Sequence, residues 1–232
     1  MHMIKKALFP SLILLTLAAM VIWQCFFAEK VNYYIISVAI LIISMLPFFI
    51  SFEKRKSTSR EITLISSLIA LAVVSRAAFY LIPQVKPIAA VVIASAVCLG
   101  AERGYIVGAF SAFISNFIFS QGIWTPFQMT ALGLVGFFAG LIFRKDSFNR
   151  FTLALYGFLS ATFLYGLIVD ISTILVSLGD NLTISGILSI YAAGMPFNLV
   201  FGAATAVFLF FFGEGFIKKI NRIDIKYNIL KE

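Results

Sequence analysis

Within the run Ser115 to Met129, SNFIFSQGIWTPFQM, the side chains of Asn116, Gln121, Trp124, Thr125 and Gln128 stand close together between two strongly apolar segments. Amide, hydroxyl and indole groups are costly to hold near hydrocarbon, so such residues are kept either for a solute or for one another. Pro126 suits the first turn of a helix and Thr125 its N-cap, which accounts for part of the run as a helix start. Capping does not account for Gln121 and Gln128, and the chemistry they offer with Asn116 is neutral hydrogen bonding to a polar ligand. Trp124 has a second ordinary role, because indoles gather at membrane interfaces.

Charge adds to this set. Arg76 and Asp170 are the only charged residues well inside apolar stretches, where an ionised group costs several kcal/mol unless it is paired or hydrated. Similar depth along their helices makes an ion pair between them one expectation. Contact with a ligand is the other, the Arg76 fork being suited to a carboxylate, phosphate or amide oxygen. Asn198, just after Met195-Pro196, returns toward the same level on the last helix. Tyr165 and Tyr191 lie within reach but are of a type common at membrane interfaces.

The elements that must position these groups are hydrophobic. Of the 232 residues 61% are hydrophobic and 12% charged, and the mean hydropathy is +1.03, against roughly 25% charged residues in soluble domains. An all-α integral membrane protein follows. One His and two Cys leave no basis for an all-protein zinc or iron-sulfur site, and neither metal nor cofactor is expected. The net charge of +8 sits in short loops and tails, the distribution of the positive-inside rule and of contact with anionic lipid rather than nucleic acid.

Apolar runs at 7–28, 32–52, 61–82, 87–100, 103–120, 127–143, 151–178 and 187–213 predict eight transmembrane helices. The first run follows Lys5-Lys6 like a secretory signal, but Phe26 and Ala28 make a poor cleavage site, so it is read as a retained span. The run 87–100 is short for a bilayer core of roughly 30 Å. Charge placement supports its crossing: with the N-terminus inside and eight spans, nearly all of the 18 basic residues fall on the inner side, leaving out Lys30, Lys86 and Arg76. The basic loop EKRKSTSR at 53–60 divides the chain into an N-terminal pair of helices, 1–56, a six-helix core, 57–220, and a basic cytoplasmic tail, 221–232. Both termini are then cytoplasmic. At 1.5 Å per residue, Arg76 lies roughly 9 Å, Asn116 roughly 6 Å and Asp170 roughly 12 Å below the outer ends of their helices. Gly104, Gly108 and Ala112 precede Asn116 at intervals of four and Gly133, Gly136 and Gly140 mark the next helix, a pattern that lets two helices approach closely.

The core then carries a resemblance. The segment SRAAFYLIPQVKPIAAVV at 75–92, a Gly-rich helix ending in SN, and SQGIWTPFQM followed by GLVGFFAG resemble the substrate-binding S component of an energy-coupling factor (ECF) vitamin transporter. The likeness covers about Arg60 to Phe143; the last two helices match mainly in hydropathy, and the first two look like an addition to a six-helix core. It implies a bacterial cell-membrane protein, not an enzyme, that captures a vitamin from outside and works with a transmembrane T component and two cytoplasmic ATPases. The absence of a GxxxxGK[ST] loop fits energy supplied by partners. S components dock on the T component through small residues spaced by four on the first core helix. Ser66 and Ala70 match, and Val74 departs from the pattern. The QGxWTPxQM turn is most similar to those of S components assigned to cobalamin, with queuosine precursors and pantothenate as alternatives. The substrate-binding set is then Arg76, Asn116, Gln121, Trp124, Thr125, Gln128, Asp170 and Asn198. Two further readings stand beside it: an intramembrane enzyme using Asp170, for which no second carboxylate, His or nucleophile is evident at a compatible depth, and a scaffold without a ligand.

Overall fold

Thr58 starts the first described helix: its hydroxyl accepts from the Glu61 amide, satisfying one of the donors left open at a helix N-terminus. In this computed structural model residues 58–144, 148–179 and 182–229 are described, together with Ala39 and Leu46; the expected helices at 7–28 and 32–52 otherwise lie outside the described residues. From Thr58 onward the chain forms α1 (Ser59–Ala78), α2 (Ile88–Leu99), α3 (Ala101–Phe119) and α4 (Trp124–Ile142). Two long helices follow, α5 (Arg150–Leu178) and α6 (Ile184–Tyr227). Each is widened by a π-helical turn, at Ser160–Tyr165 and Leu209–Gly213. The expected six helices are therefore present, most ends shifted by a few residues and the last helix extended to Tyr227.

Helices α1, α4, α5 and α6 are long and apolar enough to cross a membrane. Their outer faces carry large exposed apolar side chains, among them Val74, Phe151, Phe197 and Phe211. Such a surface is unfavourable in water and natural against lipid tails. The protein is an all-α, membrane-embedded one.

Helix α2 behaves differently. Its 12 residues span only about 18 Å, yet nearly every one is buried, packed by α1, α3, α4 and the end of α6. Protein rather than lipid covers this apolar segment, which is how so short a run stays in the interior. Gly100 then turns the chain from α2 into α3 with φ +87° and ψ 173°, a region open essentially to glycine alone. A Cβ there would meet nothing within 4 Å, so the cost of Gly100→Ala is backbone strain without a clash. We expect a loss of about 1–3 kcal/mol, read as a lowered unfolding midpoint in detergent.

The centre of the bundle is the pair α3 and α4. A Cβ on Gly104 would stand 2.8 Å from the carbonyl oxygen of Gly136, and one on Gly140 would stand 2.6 Å from the Ala101 nitrogen. Backbones in such contact exclude any side chain larger than hydrogen.

The last helix runs past the expected end of its apolar stretch and takes most of the basic tail with it. Ile217, Ile220 and Asp224 are buried while Lys218, Lys219, Arg222 and Lys226 are exposed, so buried residues at spacings of three and four continue the helix on an amphipathic pattern. Three contacts place this segment across one end of the bundle. Glu214 pairs with Arg150 at the start of α5 at 3.0 Å, Cys98 near the end of α2 donates to the Ile217 carbonyl at 3.5 Å, and Arg60 at the start of α1 donates to the Tyr227 carbonyl at 3.0 Å. Beside it the buried Glu61 accepts from Arg103, whose Nη1 also donates to the Leu99 carbonyl at 2.9 Å. The opposite end, where α1 and α3 finish and α4 begins, holds the candidate site.

Candidate functional site

The end of α3, the turn after it and the first turn of α4 form one hydrogen-bonded unit. Asn116 faces α4 in register with Gly104, Gly108 and Ala112, and it is fully buried. Its Nδ2 donates to Gln128 Oε1 at 2.9 Å and to Thr125 Oγ1 at 3.1 Å. Thr125 Oγ1 in turn donates to Gln121 Oε1 at 2.9 Å and accepts from the Gly122 amide at 3.1 Å. Gln121 Nε2 donates to the Phe113 carbonyl at 3.0 Å. Buried polar groups must be satisfied to be tolerated, and here they satisfy one another. The turn is fixed from both sides even though Ser120 within it holds φ +80°, a conformation that L side chains rarely adopt.

Arg76 joins this unit from α1. Its Nη1 donates to Ser115 Oγ and, at 2.9 Å, to Asn116 Oδ1, while the guanidinium lies 4.3 Å from the centroid of the Phe119 ring. Asn116 thus uses both donor hydrogens and its oxygen inside the network. Two sets of donors are not consumed: among the described residues nothing accepts from Gln128 Nε2, or from Arg76 Nε and Nη2.

Asp170 and Asn198 form a second, smaller pair between α5 and α6, with Asn198 Nδ2 donating to Asp170 Oδ2 at 2.9 Å. Gly194 and Gly166 make room for it, since a Cβ at either would run into Asp170 or Asn198. The expected ion pair between Arg76 and Asp170 is not formed. Arg76 points at α3 and Asp170 at α6, and Tyr165 stands near enough to feel both charges. Equal depth along two helices does not bring side chains together when they project in different directions.

Two more expectations are revised by geometry. Thr125 is not an N-cap, because α4 begins at Trp124, two residues before the start such a cap requires, and its N-cap position is Ile123, without a side-chain cap; the Thr125 hydroxyl ties the preceding turn instead. Trp124 stays outside the network, 42% exposed, with its ring lying over Gly122. Ser66 and Ala70 are exposed on α1, on the same face as Ile62 and Val74. Sequence reasoning passed over Ser115, Phe119 and Lys86, and placed Tyr165 within reach without including it in the site. The first two had a readable signal: Ser115 and Phe119 are one turn apart on α3, the spacing that puts both beside one partner on another helix. Lys86 follows α1 in the loop and donates to the carbonyls of Phe79 and Tyr80. Burial, and then the charge of Arg76, lower its pKa below the ordinary lysine value.

The arrangement can hold a polar molecule at one end of a membrane-embedded bundle. Around Asp170, among the described residues, stand the amide of Asn198 and the phenols of Tyr165 and Tyr191, a set that supplies hydrogen bonds. These features define an all-α membrane protein with a buried polar network. The chain belongs to a family of unknown function, DUF6580, whose model matches residues 56–222. No curated protein matches it and no solved structure matches it.

Proposed function

We propose that this protein is the solute-capturing membrane subunit of an ECF-type importer, a multi-pass protein of the bacterial cell membrane with both termini in the cytoplasm. The observation that carries the reading is the network of Asn116, Thr125, Gln121 and Gln128, which fixes a polar turn at one end of the bundle and, among the described residues, leaves Gln128 Nε2 and part of the Arg76 guanidinium unspent. A polar network that served only to lock helices would close on itself. The resemblance of the QGxWTPxQM turn to vitamin-binding S components supports the same reading and favours cobalamin, with a queuosine precursor or pantothenate next. The exposed α1 face bearing Ser66 and Ala70 is the surface for a transmembrane T component, through which two cytoplasmic ATPases act.

The test is mass spectrometry of small molecules that co-purify with the protein, alone and co-expressed with a T component and its ATPases. A vitamin is expected in the bound fraction, and Gln128→Ala is expected to weaken its binding about fivefold, the worth of one neutral hydrogen bond. Absence of any retained vitamin, or full affinity in Gln128→Ala and in Asn116→Ala, sinks this site. Failure of the T component to co-purify, with Ser66→Leu and Ala70→Leu making no difference, sinks the importer assignment.

A further inference from the structure

Arg76 and Asp170 bring opposite charges to one region without neutralising each other. Arg76 spends Nη1 on two neutral oxygens and the face of its guanidinium on Phe119. Lys86 lies 5.6 Å from the centroid of the same ring, and its described partners are two backbone carbonyls. Two cations therefore flank one aromatic ring, and among the described residues neither meets a carboxylate. Asp170 meets the mirror condition, a half-buried carboxylate whose hydrogen-bond partner is the neutral amide of Asn198. Charges left uncompensated in a low-dielectric region act strongly on whatever approaches, and Tyr165 stands near enough to feel both.

We infer that Arg76, with Lys86 beside it, receives an oxyanion of the bound solute, a carboxylate or a phosphate, and that Asp170 with Asn198 receives an N–H or O–H donor at the solute's other end. The fork of Arg76 suits either oxyanion, because Nε and Nη2 present two parallel donors. Gln128 supplies a neutral donor on the same side of the bundle. A solute without an acidic group would leave both cations unanswered, so the ligand class is a small amphoteric or acidic molecule with a polar far end. This deepens the solute-capture reading and rests on it, but it does not depend on which partners drive uptake.

The experiment uses the full chain in lipid nanodiscs, incubated with a defined equimolar mixture of carboxylates, phosphate monoesters, zwitterions, amines and neutral amides of matched size, then washed and analysed by mass. Retained molecules are expected to carry an oxyanion, and the carboxylate and phosphate members of the mixture tell the two sources apart. Arg76→Gln is expected to cut retention at least tenfold, and Arg76→Lys, which keeps the charge and loses the fork, by less. Asp170→Asn is expected to reduce the preference for members with an N–H or O–H far end. The Arg76→Lys unfolding midpoint, held near wild type, separates lost binding from lost folding. Retention of neutral or cationic members only, retention of none, or equal oxyanion retention by Arg76→Gln overturns the inference. A neutral vitamin retained together with a captured T component would overturn it and leave the importer assignment standing, whereas oxyanion retention without partner capture would do the reverse.

Discussion

Asn116→Ala is expected to lower the stability of the protein by about 2–4 kcal/mol, because it removes one buried side chain and takes a hydrogen-bond partner from three groups. Arg76 Nη1 loses one of its two acceptors, Gln128 Oε1 and Thr125 Oγ1 lose a donor, and Asn116 and Thr125 are buried, so water does not readily take the place of the lost amide. Each buried polar group left without a partner costs about 1–3 kcal/mol, and the partial relaxation of Gln128, which is only half-buried, keeps the sum below the upper limit. At about 2–4 °C per kcal/mol for a chain of this size, the unfolding midpoint in detergent falls by roughly 4–16 °C. Solute binding is expected to fall about tenfold in the same variant, since Asn116 helps to orient both Arg76 and Gln128. Asn116→Asp separates the two effects. The new carboxylate keeps an acceptor for Arg76 and forms an ion pair with it, which preserves the α1 to α3 contact. It also answers the charge that an incoming oxyanion would meet. Binding of an acidic solute should therefore drop in Asn116→Asp as far as in Asn116→Ala while the midpoint falls much less. A variant that loses stability and binding in the same proportion would mean that Asn116 supports the fold and has no further part.

Which of these features a reader could take from the sequence follows from what periodicity and composition encode. Apolar runs and breaks carry length, so six helices from α1 to α6 and the membrane character were readable. The short helix was readable as a crossing only through charge placement; that it survives by being covered by protein needed coordinates. The continuation of α6 through the basic residues to Tyr227 went unread because mean hydropathy drops there, although Ile217, Ile220 and Asp224 keep the spacing of a buried stripe. At the site, Asn116, Thr125, Gln121 and Gln128 were expected near one another and make one network, since they are close in the chain and one turn joins them. Arg76 and Asp170 could be assigned depths but no direction. Rotation about a helix axis depends on which neighbour each face packs against, and one sequence does not carry that. The helix starts two positions earlier than capping by Thr125 requires, enough to convert a capping role into a brace for the turn.

The largest effect is expected from Gly108→Val, which acts far from any ligand. A Cβ on Gly108 would overlap the carbonyl group of Leu132, and the obstacle is backbone that no rotamer change can move aside. Helices α3 and α4 must separate to admit it. Overpacking of a tight core costs about 1–3 kcal/mol where side chains can yield, and a backbone obstacle puts this variant at or beyond the top of that range. Association of helices in lipid also relies on close packing in place of a hydrophobic drive, so the loss is not recovered by burying the added methyl groups. The displacement passes along a rigid helix to Asn116, eight residues and about 12 Å away, and opens the distances to Thr125 and Gln128 on which the turn depends. Gly108→Val should accordingly unfold at a lower temperature than Asn116→Ala and retain no measurable solute, with Gly108→Ala intermediate. Gly215→Ala is the matched control: a Cβ there meets nothing within 4 Å, and removing a flexible glycine from a helix stabilises it by about 1 kcal/mol. If Gly108→Val matched Gly215→Ala in midpoint and binding, α3 and α4 would not approach as closely as their glycines require, and the placement of Asn116 would need another cause.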